Sequence, residues 1–187
     1  MSIYQWIVIA SITSSLILST SLAGELPDGR TFFETSPRLI NLTTTLSGVR
    51  QWGAKYYLTI YLPEDAVEPL GKLTLIQTSG AENIKFNLSE TFAFLGTKDE
   101  RGEEINVTAE LINTDRENQT IALIFPNYIP LGTTFTIGLK PIRNPEYGGN
   151  YSFRVKAFPQ GEKPSPLDLG VRALYFREPD GDSSSSS

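Results

Sequence analysis

The sequence predicts an all-β fold, an antiparallel immunoglobulin-like β-sandwich of about eight or nine strands with room for one short helix. Three observations carry this. Apolar and polar residues alternate in runs of roughly four to eight. Turn residues punctuate those runs about every ten positions, the spacing of a sandwich. Beyond the N-terminus, no stretch but one carries a helical period.

The elements follow in order. Arg38 to Thr45 is expected to be the first strand. Lys55 to Leu62 (KYYLTIYL) is the clearest early one: Tyr56, Leu58, Ile60 and Leu62 share one face, and Tyr57, Thr59 and Tyr61 the other. Pro63 ends it, because proline has no N–H to give to a ladder. Leu73 to Gln77 and Ile84 to Leu88 read as two short strands around a Ser79-Gly80 turn. Ser89 to Leu95 is the helical candidate, with Ser89 as cap and Phe92 and Leu95 three apart. Ile105 to Ile112 and Thr120 to Phe125 are expected to frame the polar stretch Asn113 to Asn118.

Thr133 to Lys140 places Phe135, Ile137 and Leu139 on one side. Tyr151 to Phe158 places Tyr151, Phe153, Val155 and Ala157 on one side and Ser152, Arg154 and Lys156 on the other. The connection Pro141 to Gly149 joins these two strands, with Pro145 and Gly148-Gly149 as its turn residues. Gly170 to Phe176 is the last strand. One dry and one wet face per strand suits antiparallel pairing.

The 187-residue chain has no charged side chain before Glu25. Ile7-Val8-Ile9-Ala10, Leu16-Ile17-Leu18 and then Ser21-Leu22-Ala23 make an apolar run ending in a small-x-small triplet. That pattern is expected of a secretory signal peptide, residues 1–23, cut after Ala23, although Met1 to Trp6 has no Lys or Arg. The alternative is an uncleaved anchor. The run is interrupted by Ser and Thr and falls short of the roughly 20 apolar residues that span a bilayer. The expected organisation continues with an N-terminal extension (24–35), the sandwich (36–177) and a disordered Ser-rich tail (178–187), EPDGDSSSSS.

Composition excludes several chemistries. Sixteen Lys and Arg against 21 Asp and Glu give a net charge of −5 without a basic cluster, which argues against nucleic acid and against electrostatic attachment to anionic lipid. Contact with a membrane is expected only if the N-terminal segment stays uncleaved. With no His and no Cys, the chain lacks the commonest general base, the usual nucleophile pairs and the transition-metal ligands, so no enzyme activity and no cofactor are expected. Asp99-Glu100-Arg101-Gly102-Glu103-Glu104 lacks the spacing of a helix–loop–helix calcium site and reads as a solvated hairpin loop, with a calcium site the alternative.

Trp52, Tyr57, Tyr61, Tyr128 and Tyr147 are the candidate binding residues. Such rings offer a flat apolar face and a polar tip, the equipment of a sugar-stacking platform, if several share an exposed face. Tyr57 and Tyr61 point the same way, about 13 Å apart by the strand rise. The alternative is a second core layer or scattered surface tyrosines.

Gly138-Leu139-Lys140-Pro141-Ile142-Arg143-Asn144-Pro145, then Gly148-Gly149-Asn150-Tyr151 and Ala157-Phe158-Pro159-Gln160-Gly161-Glu162, form an ordered motif. Upstream, Trp52-Gly53-Ala54, Leu62-Pro63-Glu64-Asp65-Ala66 and Phe92-Ala93-Phe94-Leu95-Gly96 add to it. The set resembles the cyanobacterial exported family catalogued as domain of unknown function 2808, over about residues 36 to 176. The resemblance implies a signal peptide and a periplasmic or cell-surface location; it brings no activity and no functional residues. The expected role is an exported, non-enzymatic interaction module of the periplasm or cell envelope, its partner an envelope protein or polysaccharide. Contact is expected through a sheet face, an end loop or an unpaired edge. A carbohydrate-binding domain using the tyrosines is the first alternative, a calcium-binding domain or carboxylate-dependent hydrolase the lesser ones.

Overall fold

The computed structural model describes residues 28–113 and 119–179. The expected signal peptide and nearly all of the Ser-rich tail lie outside the described residues.

Ten strands form two five-stranded antiparallel sheets. The strands are β2 (Arg38–Thr44), β3 (Tyr56–Leu62), β4 (Leu70–Ser79), β5 (Phe92–Gly96), β6 (Arg101–Ile105), β7 (Thr108–Asn113), β8 (Thr120–Ile124), β9 (Thr133–Leu139), β10 (Gly149–Pro159) and β12 (Leu167–Phe176). Two-residue strands β1 (Arg30–Thr31) and β11 (Lys163–Pro164) pair in parallel, so the chain ahead of residue 36 is tied to the body. Sheet A runs β12-β10-β4-β8-β7 and sheet B runs β2-β3-β9-β5-β6. The chain crosses between the sheets in runs of one or two strands, and the sheets form two layers around one core.

The alternation seen in the sequence sets which side chains enter that core. Tyr56, Leu58, Ile60 and Leu62 from β3 and Phe135, Ile137 and Leu139 from β9 face Leu73, Leu75, Ile121, Leu123, Tyr151, Phe153, Val155 and Ala157 of sheet A, all buried. Phe125 stands edge-on to Phe135, and Phe176 edge-on to Tyr151, the geometry that aligns ring edges with ring faces. No helix of the described residues is long and apolar enough to cross a membrane.

Three expectations are corrected; the sandwich, expected with about eight or nine strands, holds ten sheet strands among the described residues. Ile84 to Leu88 is not a strand: the Gln77 side chain takes the Ile84 N–H at 3.0 Å, and Phe86 makes only an isolated bridge to Pro141. Ser89 to Leu95 is not a helix but a single 3-10 turn (Leu88–Glu90) followed by β5. Ser89 does not cap it; its hydroxyl bonds Asn87 instead. Phe92 and Phe94 point out of the sandwich and Ala93 points in, so the period of two overrides the spacing of three. Ile105 to Ile112 divides at Asn106-Val107, where the chain leaves sheet B for sheet A. The Pro141–Gly149 connection likewise crosses between sheets, from β9 to β10.

Phe135 has no exposure and meets side chains of both layers. Phe135→Ala is expected to lower the unfolding free energy by about 3–5 kcal/mol, read as a reduced urea midpoint at unchanged slope.

Candidate functional site

Asn144 organises the end of the sandwich where β3 begins and β9 stops. It has no exposure. Its side-chain carbonyl accepts from the Tyr56 hydroxyl at 3.0 Å, and its amide donates to the Leu46 and Gly48 carbonyls at 2.9 and 2.8 Å. Its own N–H reaches Gln51 O at 2.8 Å, and the Arg50 N–H reaches Pro145 O at 2.8 Å. Arg50 takes a left-handed backbone to do this. The 45–55 and 140–148 loops therefore lie side by side. Ile142 N–H to Lys85 O and Asn87 N–H to Lys140 O, both 2.8 Å, bring the 80–91 loop against the same frame. Burial drives the Tyr56 phenol well above its ordinary value, with the Tyr151 phenol adding to it, so Tyr56 stays a hydrogen-bond donor.

Between these loops lies an open cleft of about 570 Å³, lined by Gly53, Ala54, Lys55, Phe86, Asn87, Glu90, Lys140, Pro141 and Ile142. Its place follows from register. Tyr57, Gly138 and Phe92 lie opposite one another on the outer face of sheet B, and Lys55, Lys140 and Glu90 stand two residues nearer the loops. Lys140 pairs with Glu90, and the Asn87 amide also bonds that carboxylate. The Lys140 hydrogen bond and charge hold the Glu90 carboxyl below the usual range, so it stays ionised and serves as a hydrogen-bond acceptor. Trp52, 68% exposed, precedes the cleft wall; Ile142, within the wall, is 48% exposed.

Beyond the cleft the face is aromatic. Phe92 stacks on Phe94 at 6.2 Å between centroids, and Tyr57 meets both rings edge-on. Gly138 is required here, because any side chain on it would overlap the Phe92 ring. The Arg101 guanidinium lies 4.7 Å from the Phe94 centroid, and Arg101 also pairs with Glu104 at 3.0 Å. Further along, the Thr59 and Thr136 hydroxyls bond at 3.0 Å, and Thr136 donates to Gly96 O at 2.8 Å. Tyr61 follows, with the Arg38 guanidinium 4.7 Å above its ring.

The five candidate aromatics thus fall in three places. Trp52 adjoins the cleft, and Tyr57 and Tyr61 lie on the face that continues from it. Tyr147, 59% exposed, sits at the same end in the 140–148 loop. Tyr128 lies at the opposite end of the sandwich, between β8 and β9. The half-buried Tyr57 belongs to a small outer core layer. Sequence reasoning missed Lys55, Asn87, Glu90 and Lys140, which only the sheet register brings together. Asn144 lay inside the recognised motif, but nothing in its neighbours marks it as buried. Asp99 pairs with Lys98 at 2.7 Å on the surface, and among the described residues no three acidic side chains are placed to hold a metal ion.

The model of the family described as protein of unknown function (DUF2808) matches residues 30–176. Among curated proteins no relative matches this chain. Solved structures with a similar chain path include the collagen-binding subdomain of the Enterococcus faecalis surface protein ACE, at 8% identity, covering 77% of this chain and 99% of that one, TM-score 0.44. The bacterial hydrophobin BslA is 16% identical over 78% of this chain and 96% of its own, TM-score 0.40. The collagen-binding domain of a Staphylococcus aureus adhesin is 11% identical over 66% and 86%, TM-score 0.37.

Asn144→Ala is expected to cost about 2–4 kcal/mol, since it orphans a buried phenol and two carbonyls; chemical denaturation reads this directly. The Tyr56 contribution has a defined pH sign. It is present in full below the ordinary tyrosine value of about 10 and is lost as pH rises from there toward the folded value, because the unfolded chain ionises first. Melting temperatures are therefore expected to fall above about pH 10, and less steeply in Tyr56→Phe.

Proposed function

We propose that this chain, which belongs to the family of proteins of unknown function DUF2808, is an exported, non-enzymatic interaction module of the periplasm or cell surface that holds its partner in the cleft beside Trp52. One observation carries the reading: an open cleft lined by the exposed Ile142, with the exposed Trp52 one residue ahead of its wall at Gly53, stands on a frame whose backbone and side-chain polar groups are bonded to one another. Apolar rings on a preformed surface lose little freedom on binding, which is why tryptophan so often anchors interfaces. Polar groups accompany the apolar ones in the cleft lining, where Lys140 pairs with Glu90. Export rests on the N-terminal apolar run and its Ser21-Leu22-Ala23 triplet. The absence of His and Cys from the sequence supports binding rather than catalysis.

The test is retention of the purified 24–187 chain on an envelope fraction. Trp52→Ala with Ile142→Ser is expected to lower retention about tenfold or more without changing the melting temperature. Tyr128→Ala, at the far end, is expected to leave it unchanged. Equal retention of all three proteins would discard the cleft as the binding surface.

A further inference from the structure

We infer that the cleft and the outer face of sheet B together take an acidic polysaccharide, a hydroxyl-rich chain bearing carboxylates; this rests on the reading of the cleft as the binding surface. Charge comes first. The chain as a whole is acidic, at −5. On this face the carboxylates Glu90 and Glu104 are already paired, with Lys140 and Arg101. Lys55 and Arg38 form no ion pair among the described residues. The face is thus locally basic in an acidic protein, and these two cations, outside any ion pair among the described residues although Arg38 covers the Tyr61 ring, stand at opposite ends of the β3 outer row. Lys55 is two residues before Tyr57, and Arg38 is opposite Tyr61. By the strand rise they are about 20 Å apart, which suits an extended polymer rather than a single small anion.

The groups gathered at the Lys55 end suit sugars. Trp52 and Ile142 offer apolar surface to the C–H face of a ring. Asn87 and Glu90, held together in the cleft lining, supply donor and acceptor side by side, the complement of neighbouring hydroxyls. Single-stranded nucleic acid fits less well, because a phosphate at every nucleotide calls for a continuous basic track, and among the described residues this face has two cations outside ion pairs, about 20 Å apart.

Oligogalacturonate is the probe, with a neutral cello-oligosaccharide and a dT oligonucleotide of equal length beside it, measured by titration calorimetry on the 24–187 chain. Oligogalacturonate is expected to bind, more weakly as salt rises. Trp52→Ala is expected to weaken it about tenfold, and Lys55→Gln and Arg38→Gln about threefold to fivefold each. Melting curves on each variant separate lost contacts from lost fold, and the salt dependence of the unaltered chain reads the charge contribution without any variant. Neutral sugar bound as tightly, or dT bound more tightly, overturns the proposal. No oligogalacturonate binding while envelope retention still depends on Trp52 overturns the polysaccharide and leaves the cleft standing. Loss of both removes the two together.

Discussion

Asn144 uses each of its side-chain hydrogen-bonding groups at a point where three stretches of chain meet, and it does so away from water. One oxygen receives the Tyr56 hydroxyl; two amide hydrogens go to successive turns of the 45–55 loop. A buried amide leaves little freedom in such a place, because any shift of the loop strands a polar group without a solvent partner. The constraint reaches in both directions. Through Tyr56 it is anchored in the core, where that ring meets Phe86 and Phe176. Through Leu46 and Gly48 it sets the path of the chain toward Trp52 and Lys55. The position of the cleft wall is therefore tied to the packing of the sandwich rather than left to a loop.

Sheet B has two working faces. Its inner face is a hydrophobic layer like that of sheet A. Its outer face carries a second, smaller aromatic layer in which Phe94 is as hidden as a core residue, with Phe92, Tyr57 and Arg101 for company. Long cationic side chains can cover ring faces and keep their charge in water, and Arg101 and Arg38 both do so. The result is a face that is apolar in substance and basic at its margins.

Much of the architecture was legible because burial here follows a period of two. In β3, β9 and β10 every side chain assigned inward from the sequence is inward in the structure, since a strand covered on one face has no other way to hide its apolar residues. The reading failed where local contacts outweighed pattern. Ile84 to Leu88 is apolar enough for a strand, yet the Gln77 side chain, seven residues upstream, captures the Ile84 N–H. Phe92 and Leu95 mimic helical spacing, but β5 pairs with β9 in regular register, so Phe92 and Phe94 face outward, where Tyr57 and Arg101 cover Phe94. Of the site, Trp52 and Tyr57 could be named from their chemistry. The set Lys55, Lys140 and Glu90 could not, because it exists only once β3, β9 and β5 are in register.

The residue after Asn144 is Pro145, and that neighbour has a chemical effect apart from its shape. Asparagine in extended service is commonly lost by cyclisation, in which the next residue's backbone nitrogen attacks the side-chain carbonyl and ammonia departs. A proline nitrogen has no hydrogen to give up for that ring closure. The amide on which the loop frame hangs is thereby sheltered from deamidation, and the geometry it holds can age slowly in a protein that is not quickly replaced.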